Sequence, residues 1–174
     1  MRLSVGVEID ETAAMGAHTY EVALDGGTLE RGFWLYVWEV TTPTGDTLLY
    51  VGRTGDSSSA NAQSPFNRMG QHLGSAKNSS MLRNHLETKH VDPGQCRFRL
   101  VAHGPILGEA RNMEEHSVRR DIVGALEKAL ADDLAEAGYN IMNKVNCLKP
   151  VDAELRAEVR TAFAAHFASL QRAS

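Results

Sequence analysis

The chain predicts an α+β domain: a small, mainly antiparallel β-sheet flanked by helices, with an extra N-terminal segment and a C-terminal amphipathic helix. Three observations carry that expectation. An aromatic and β-branched run at residues 34–40 (WLYVWEV) meets a second strand-like run at residues 48–52 (LLYVG) across a turn containing Pro43, Gly45 and Asp46. A helical pattern covers residues 111–137 and stops at Gly138, a residue suited to ending a helix. A second amphipathic pattern over residues 152–170 repeats Leu155, Val159, Phe163 and Phe167 every fourth position. A hairpin followed mostly by helices favours segregated α and β elements over a parallel alternating sheet.

Along the chain, residues 1–32 form an N-terminal extension with strand candidates at 3–9 and 20–24 and a turn at Gly26-Gly27. Residues 33–148 form the central domain, and residues 149–174 a helix that packs on it or pairs with another chain. Alternation along a strand puts Trp34, Tyr36 and Trp38 on one face and Leu35 and Val37 on the other. A suitable register brings Tyr36 and Tyr50 to the same face. Residues 55–65 (GDSSSANAQSP) read as a polar surface loop. A short helix follows over residues 65–73, with Ser64 as its cap and Pro65 in the first position. Another begins near Ser79, with Asn78 as its cap. Pro93-Gly94 turns the chain into a third strand, residues 95–103, with Phe98 and Leu100 on one side and Arg97 and Arg99 on the other. The long helix has an apolar stripe of Ile122, Leu126, Ala129, Leu130 and Leu134. Glu127 falls about 20° beyond Leu134, on the margin of that stripe. Asp133 lies inside the stripe and competes with Glu127 as an inward-leaning carboxylate.

The 174 residues suffice to bury a core without disulfide or metal staples. No apolar run approaches the length of a membrane span. Residues 1–16 carry Glu8, Asp10 and Glu11 and no apolar signal core, so a cytoplasmic location and no membrane partner are expected. Cys96 and Cys147 lack the clustered spacing of a structural zinc site. The net charge of −4 argues against a general nucleic-acid coat, but the charge is uneven. Residues 1–30 hold one basic and six acidic residues, whereas residues 31–110 hold eight basic and six acidic. A polyanion could be held locally in that middle third.

The middle third also carries an ordered set of chemical groups. Tyr36 lies in LYV, and Tyr50-Val51-Gly52 follows on the return strand. Arg68 is followed by His72 four residues later, within NRMGQH. Glu127 stands thirteen residues before Asn140, in the element Gly138-Tyr139-Asn140. This set resembles the GIY-YIG nuclease family over about residues 33–146. Trp34 stands where the family has the first glycine of its first triplet. The hairpin loop and the stretch between Gly52 and Arg68 are longer than usual, and Arg53 is the alternative to Arg68 for the family arginine.

The resemblance implies a divalent-metal-dependent endonuclease hydrolysing DNA phosphodiester bonds, with Mg2+ or Mn2+ as cofactor. It implies Tyr36, Tyr50, Arg68, His72, Glu127 and Asn140 as catalytic residues, and Glu127 as metal ligand. Tyr36 would act as general base or position the attacking water, and Tyr50 would bond phosphate or water. His72 would relay a proton or contact phosphate, and Asn140 would hold the site's geometry. The chemistry is consistent with these assignments. A hard cation on one carboxylate neutralises phosphate charge, and an arginine fork matches phosphate oxygens. A phenol ionises near pH 10, so a basic Tyr36 needs positive charge beside it. Arg53, Arg97 and Arg99 are candidate nucleic-acid contacts, the last two because their strand should join the tyrosine hairpin.

Taken singly, each residue has a plainer reading: cross-strand aromatics, a solvated helix face, a surface carboxylate, a helix-end asparagine. Their joint order favours the nuclease. DNA is the expected partner, RNA is the other polyanion, and a homodimer would suit paired cuts at symmetric sites. The alternative is a non-catalytic nucleic-acid-binding module, or a subunit of a repair or defence complex that retains the nuclease fold.

Overall fold

The structure is a computed structural model that describes residues 17–56, 59–76 and 80–172. Its centre is an antiparallel sheet of three strands in the order β2-β1-β3, formed by β1 (Phe33–Thr41), β2 (Thr47–Arg53) and β3 (Arg97–Leu107). Five α-helices accompany it among the described residues: α1 (Pro65–Leu73), α2 (Met81–Thr88), α3 (Met113–Glu136), α4 (Ala153–Ala164) and α5 (Ala168–Arg172). The α+β expectation therefore holds.

The hairpin forms because β1 and β2 each present two apolar faces, and both faces are covered. Leu35, Val37, Leu49, Val51 and Val101 turn one way and pack with Val123, Leu126, Leu130 and Leu134 of α3 and Phe163 of α4. Tyr36, Trp38, Val40, Leu48 and Tyr50 turn the other way and pack with Leu82 and Leu86 of α2. Near-continuous apolar runs, rather than clean alternation with polar residues, are what a sheet buried on both sides requires. The register pairs Tyr36 with Gly52 and Trp38 with Tyr50, which places both tyrosines on one face.

The helix ends follow the sequence signals. Ser64 caps α1 by accepting from the Asn67 amide at 3.3 Å, with Pro65 in the first turn. Gly138 adopts φ +90°, and the Tyr139 amide donates to the Leu134 carbonyl at 3.1 Å, closing α3. Helix α2 starts at Met81 after Ser80, and the expected Asn78 cap lies outside the described residues.

Three expectations are corrected. Residues 20–24 form no strand: they run exposed ahead of a short 3-10 turn at Gly26–Leu29. The other strand candidate, residues 3–9, lies outside the described residues. β3 continues to Leu107, four residues past its expected end, because Phe33 pairs with Leu107 beyond a register shift in β1. The C-terminal helix is broken in two. The Phe163 carbonyl accepts from both the His166 and Phe167 amides, at 2.9 and 3.0 Å, and the chain tightens there. Tyr139 Oη then accepts from the Ser169 amide at 3.2 Å, in the first turn of α5. The bend lets Phe163, Phe167 and Leu170 all reach the core.

Asp133, the competitor for Glu127, is 4% exposed and serves packing. Its carboxylate meets Arg156 at 2.6 Å and Arg160 at 3.5 Å, fixing α4 to α3. No described helix is long and apolar enough to cross a membrane.

Candidate active site

The tyrosine face of the hairpin meets α1 at a set of polar side chains. Tyr36 is 1% exposed, and its hydroxyl lies 2.7 Å from His72 Nε2. The same oxygen accepts from Arg68 Nε at 3.5 Å and lies 3.2 Å from the Arg53 carbonyl, to which it can donate. Arg68 and His72 reach one point because residues four apart share a helix face. Tyr50 packs edge-on against His72, with ring centroids 5.0 Å apart, and meets His85 at a tilt, at 5.7 Å.

This closeness depends on Gly52. A Cβ there would lie 2.5 Å from the Tyr36 ring and 2.7 Å from its hydroxyl oxygen. The tyrosine lies flat over the glycine, so the glycine of the YVG triplet makes room for the catalytic candidate.

Burial sets the protonation states. It raises the Tyr36 pKa well above that of a free phenol, against the opposing pull of Arg68. Tyr50 is pushed up to about 12, again by burial, with the charge of Glu127 adding to the shift. His72 is lowered to about 4 by burial and then by Arg68, so the imidazole is neutral near pH 7. A neutral imidazole has two uses here. With its proton on Nδ1, which has no partner among the described residues, Nε2 accepts the Tyr36 hydroxyl. With its proton on Nε2 it donates to Tyr36, whose own proton turns to the Arg53 carbonyl.

Glu127 projects from α3 and is 14% exposed. Its Oε2 meets Arg53 Nε at 2.9 Å. Arg53 also donates to the Arg120 carbonyl at 2.6 Å and lies against Gly124, where a Cβ would be 3.1 Å from its guanidinium. Burial pushes the Glu127 carboxyl up to about 7, although Arg53 opposes the shift.

Oxygen chemistry from one carboxylate completed by water fits magnesium, which keeps much of its hydration shell. Among the described residues no group of three or more His, Cys, Asp or Glu side chains gathers to form a fuller cage. Glu127 could supply one such carboxylate, and its Oε2 is engaged by Arg53.

Compared with known proteins, the chain matches no family model, no curated protein and no solved structure.

The remaining sequence candidates separate. The Asn140 side chain is exposed, and the residue contributes its carbonyl, which accepts from the Leu49 amide at 2.8 Å. The side chain that grips the hairpin belongs to Asn143. Its Oδ1 accepts from the Val51 amide at 3.0 Å and its Nδ2 donates to the Val51 carbonyl at 2.7 Å. Residues 140–143 thereby close the outer edge of β2. Arg97 and Arg99 pair with Thr41 and Glu39, on the sheet face opposite the tyrosines. Arg99 is engaged there by Glu39 at 3.2 Å and lies over the Phe167 ring at 5.7 Å, so neither arginine is on the tyrosine face. Asp56 and Gln71, which sequence reasoning passed over, bond Arg68 directly, each at 2.9 Å.

Asn143→Ala strands two main-chain groups of Val51, and should cost about 2 kcal/mol. A domain of this size then melts roughly 4–8 °C lower. Asn140→Ala, which keeps the carbonyl, should shift the melting temperature far less; equal shifts would contradict the assigned grip.

Proposed function

We propose that the protein is a metal-dependent nuclease of the GIY-YIG type, cutting DNA phosphodiester bonds. The observation that carries the reading is the contact of Tyr36 with both His72 and Arg68, on a face that Tyr50 shares, with the half-buried carboxylate of Glu127 close enough to act on Tyr50.

Each side chain has a role suited to its state. Arg68 presents a guanidinium to a phosphate oxygen and draws charge toward the Tyr36 oxygen. Tyr36 starts as the neutral phenol, since burial holds its proton. It orients the attacking water and passes its own proton to His72 as it takes one from that water. His72 can accept because it is neutral at the outset. Tyr50 supplies a second hydroxyl on the same face. Glu127 would hold magnesium or manganese, and the ion would supply charge neutralisation at the phosphate. Arg53 keeps the Glu127 carboxylate in place until then. Paired cuts at a symmetric duplex site would call for two copies of the chain.

The direct test is supercoiled plasmid with Mg2+, comparing wild type with folded Tyr36→Phe and Arg68→Ala. Wild type should nick or linearise the plasmid, and each variant should be slower by about a hundredfold or more. If wild type cuts neither DNA nor RNA with Mg2+ or Mn2+, a non-catalytic nucleic-acid-binding module replaces the nuclease.

A further inference from the structure

Each nitrogen of the Arg68 guanidinium has a partner, and one partner differs in kind from the others. Its Nε points to the Tyr36 hydroxyl at 3.5 Å and its Nη1 meets Gln71 Oε1 at 2.9 Å. Its Nη2 meets Asp56 Oδ2 at 2.9 Å, the one of these three contacts that opposes charge with charge. Asp56 sits on the solvent side: its side chain is 40% exposed against 21% for Arg68. A carboxylate and a phosphate offer a guanidinium the same kind of paired oxygens. Asp56 therefore stands where a backbone phosphate would stand.

We propose that Asp56 guards the phosphate site: in the free protein its carboxylate occupies Arg68, and nucleic acid must displace it to reach Tyr36. The inference rests on the nuclease reading above.

The contact is built to be exchanged. A half-exposed ion pair contributes little net stability, so breaking it costs little. The chain just behind it passes close over Phe33: Gly55 has φ +77°, and a Cβ there would lie 2.3 Å from the Phe33 ring. Displacement therefore falls to Asp56 itself, beside a recess of about 130 Å³ lined by Gly55, Asp56, Gln63, Arg68 and Gln71. A single small anion gains one contact and must overcome the aspartate. A polyanion brings neighbouring phosphates that bind elsewhere, so it displaces the guard more readily. The guard thus selects nucleic-acid chains over free phosphate.

The test is Asp56→Asn, with wild type, Arg68→Ala and the double variant, each verified as folded. Binding of labelled duplex DNA is read by fluorescence anisotropy with Ca2+ replacing Mg2+. Asp56→Asn should bind about tenfold more tightly than wild type, and the gain should vanish in the Arg68→Ala background. A second reading needs no nucleic acid: the rate at which phenylglyoxal modifies Arg68, followed by peptide mass, should rise several-fold in Asp56→Asn. Unchanged or weaker DNA binding by Asp56→Asn overturns the guard, as does a gain that persists without Arg68. Unchanged binding with lost Mg2+-dependent cleavage also overturns it and assigns Asp56 to the metal. If wild type binds neither DNA nor RNA, the nuclease reading fails separately. If Asp56→Asn binds neither as well, the guard falls with that reading; unchanged Arg68 reactivity beside intact DNA binding overturns the guard alone.

Discussion

Replacing Glu127 with glutamine should lower magnesium-dependent cleavage by about a thousandfold and leave the metal-free protein at least as heat-stable as wild type at pH 8. The two halves of this result have one origin. Burial raises the Glu127 carboxyl to about 7, so the folded protein prefers the protonated side chain. Such a group contributes stability below its ordinary pKa, near 4.5, and that contribution is lost as pH rises through about 7. Glutamine mimics the neutral form at every pH, and its amide oxygen can still accept from Arg53. Melting curves in EDTA should therefore favour the variant at pH 8 and converge with wild type below about pH 4.5. Adding Mg2+ should raise the melting temperature of wild type alone, because the ion needs the ionised carboxylate. For the same reason, cleavage at limiting Mg2+ should climb with pH up to about 7 and then level off. A glutamine variant that cuts as fast as wild type would remove the metal from Glu127.

The second large effect is expected at Gly52. An alanine there would put a methyl group 2.5 Å from the Tyr36 ring, closer than packed carbons approach. Either the ring or the hairpin must move, at a cost of about 1–3 kcal/mol. The greater loss falls on activity. A displacement on the order of 1 Å takes the Tyr36 hydroxyl out of line with His72 and Arg68, and cleavage should fall roughly a hundredfold. Gly70, on α1 between Arg68 and His72, is the control. Nothing lies within 4 Å of its would-be Cβ. Alanine suits a helix better than glycine, so Gly70→Ala should hold or raise stability by up to about 1 kcal/mol and keep activity. Should Gly52→Ala match wild type in both thermal melting and plasmid cleavage, Gly52 would have no part in seating Tyr36.

Much of this was legible in the sequence, for local reasons. Strand alternation fixes which side of β1 Tyr36 occupies, and the register needs only a short loop to bring Tyr50 round to it. The cap at Ser64 and the stop at Gly138 depend on neighbouring residues alone. The four-residue spacing of Arg68 and His72 survives any arrangement of the rest.

What escaped was set by distant contacts. Periodicity could place Asp133 on the buried stripe, but its two arginine partners come from α4. Arg97 and Arg99 alternate correctly with Phe98 and Leu100, yet alternation cannot say which face of the sheet the C-terminal helices cover. Asn140 and Asn143 are three residues apart, and only the parallel run of residues 140–143 along β2 decides which side chain turns inward. Asp56 follows the strand in a polar loop, where one more acidic residue carries no signal. The bend between α4 and α5 interrupts an apolar repeat that would continue smoothly through it.

The double grip on Asp133 has a practical consequence for anyone trimming this protein. Glu127 and Asp133 ride on the same rod, α3, one meeting Arg53 and the other moored to α4. Arg160 extends the mooring by donating to the Leu170 carbonyl at 3.0 Å. The last two helices are therefore ballast for the rod that carries the Glu127 carboxylate, not a detachable tail. A minimal domain cut after the resembling region would take Val159, Phe163, Phe167 and Leu170 out of the core and strip Asp133 of both its arginine counterweights.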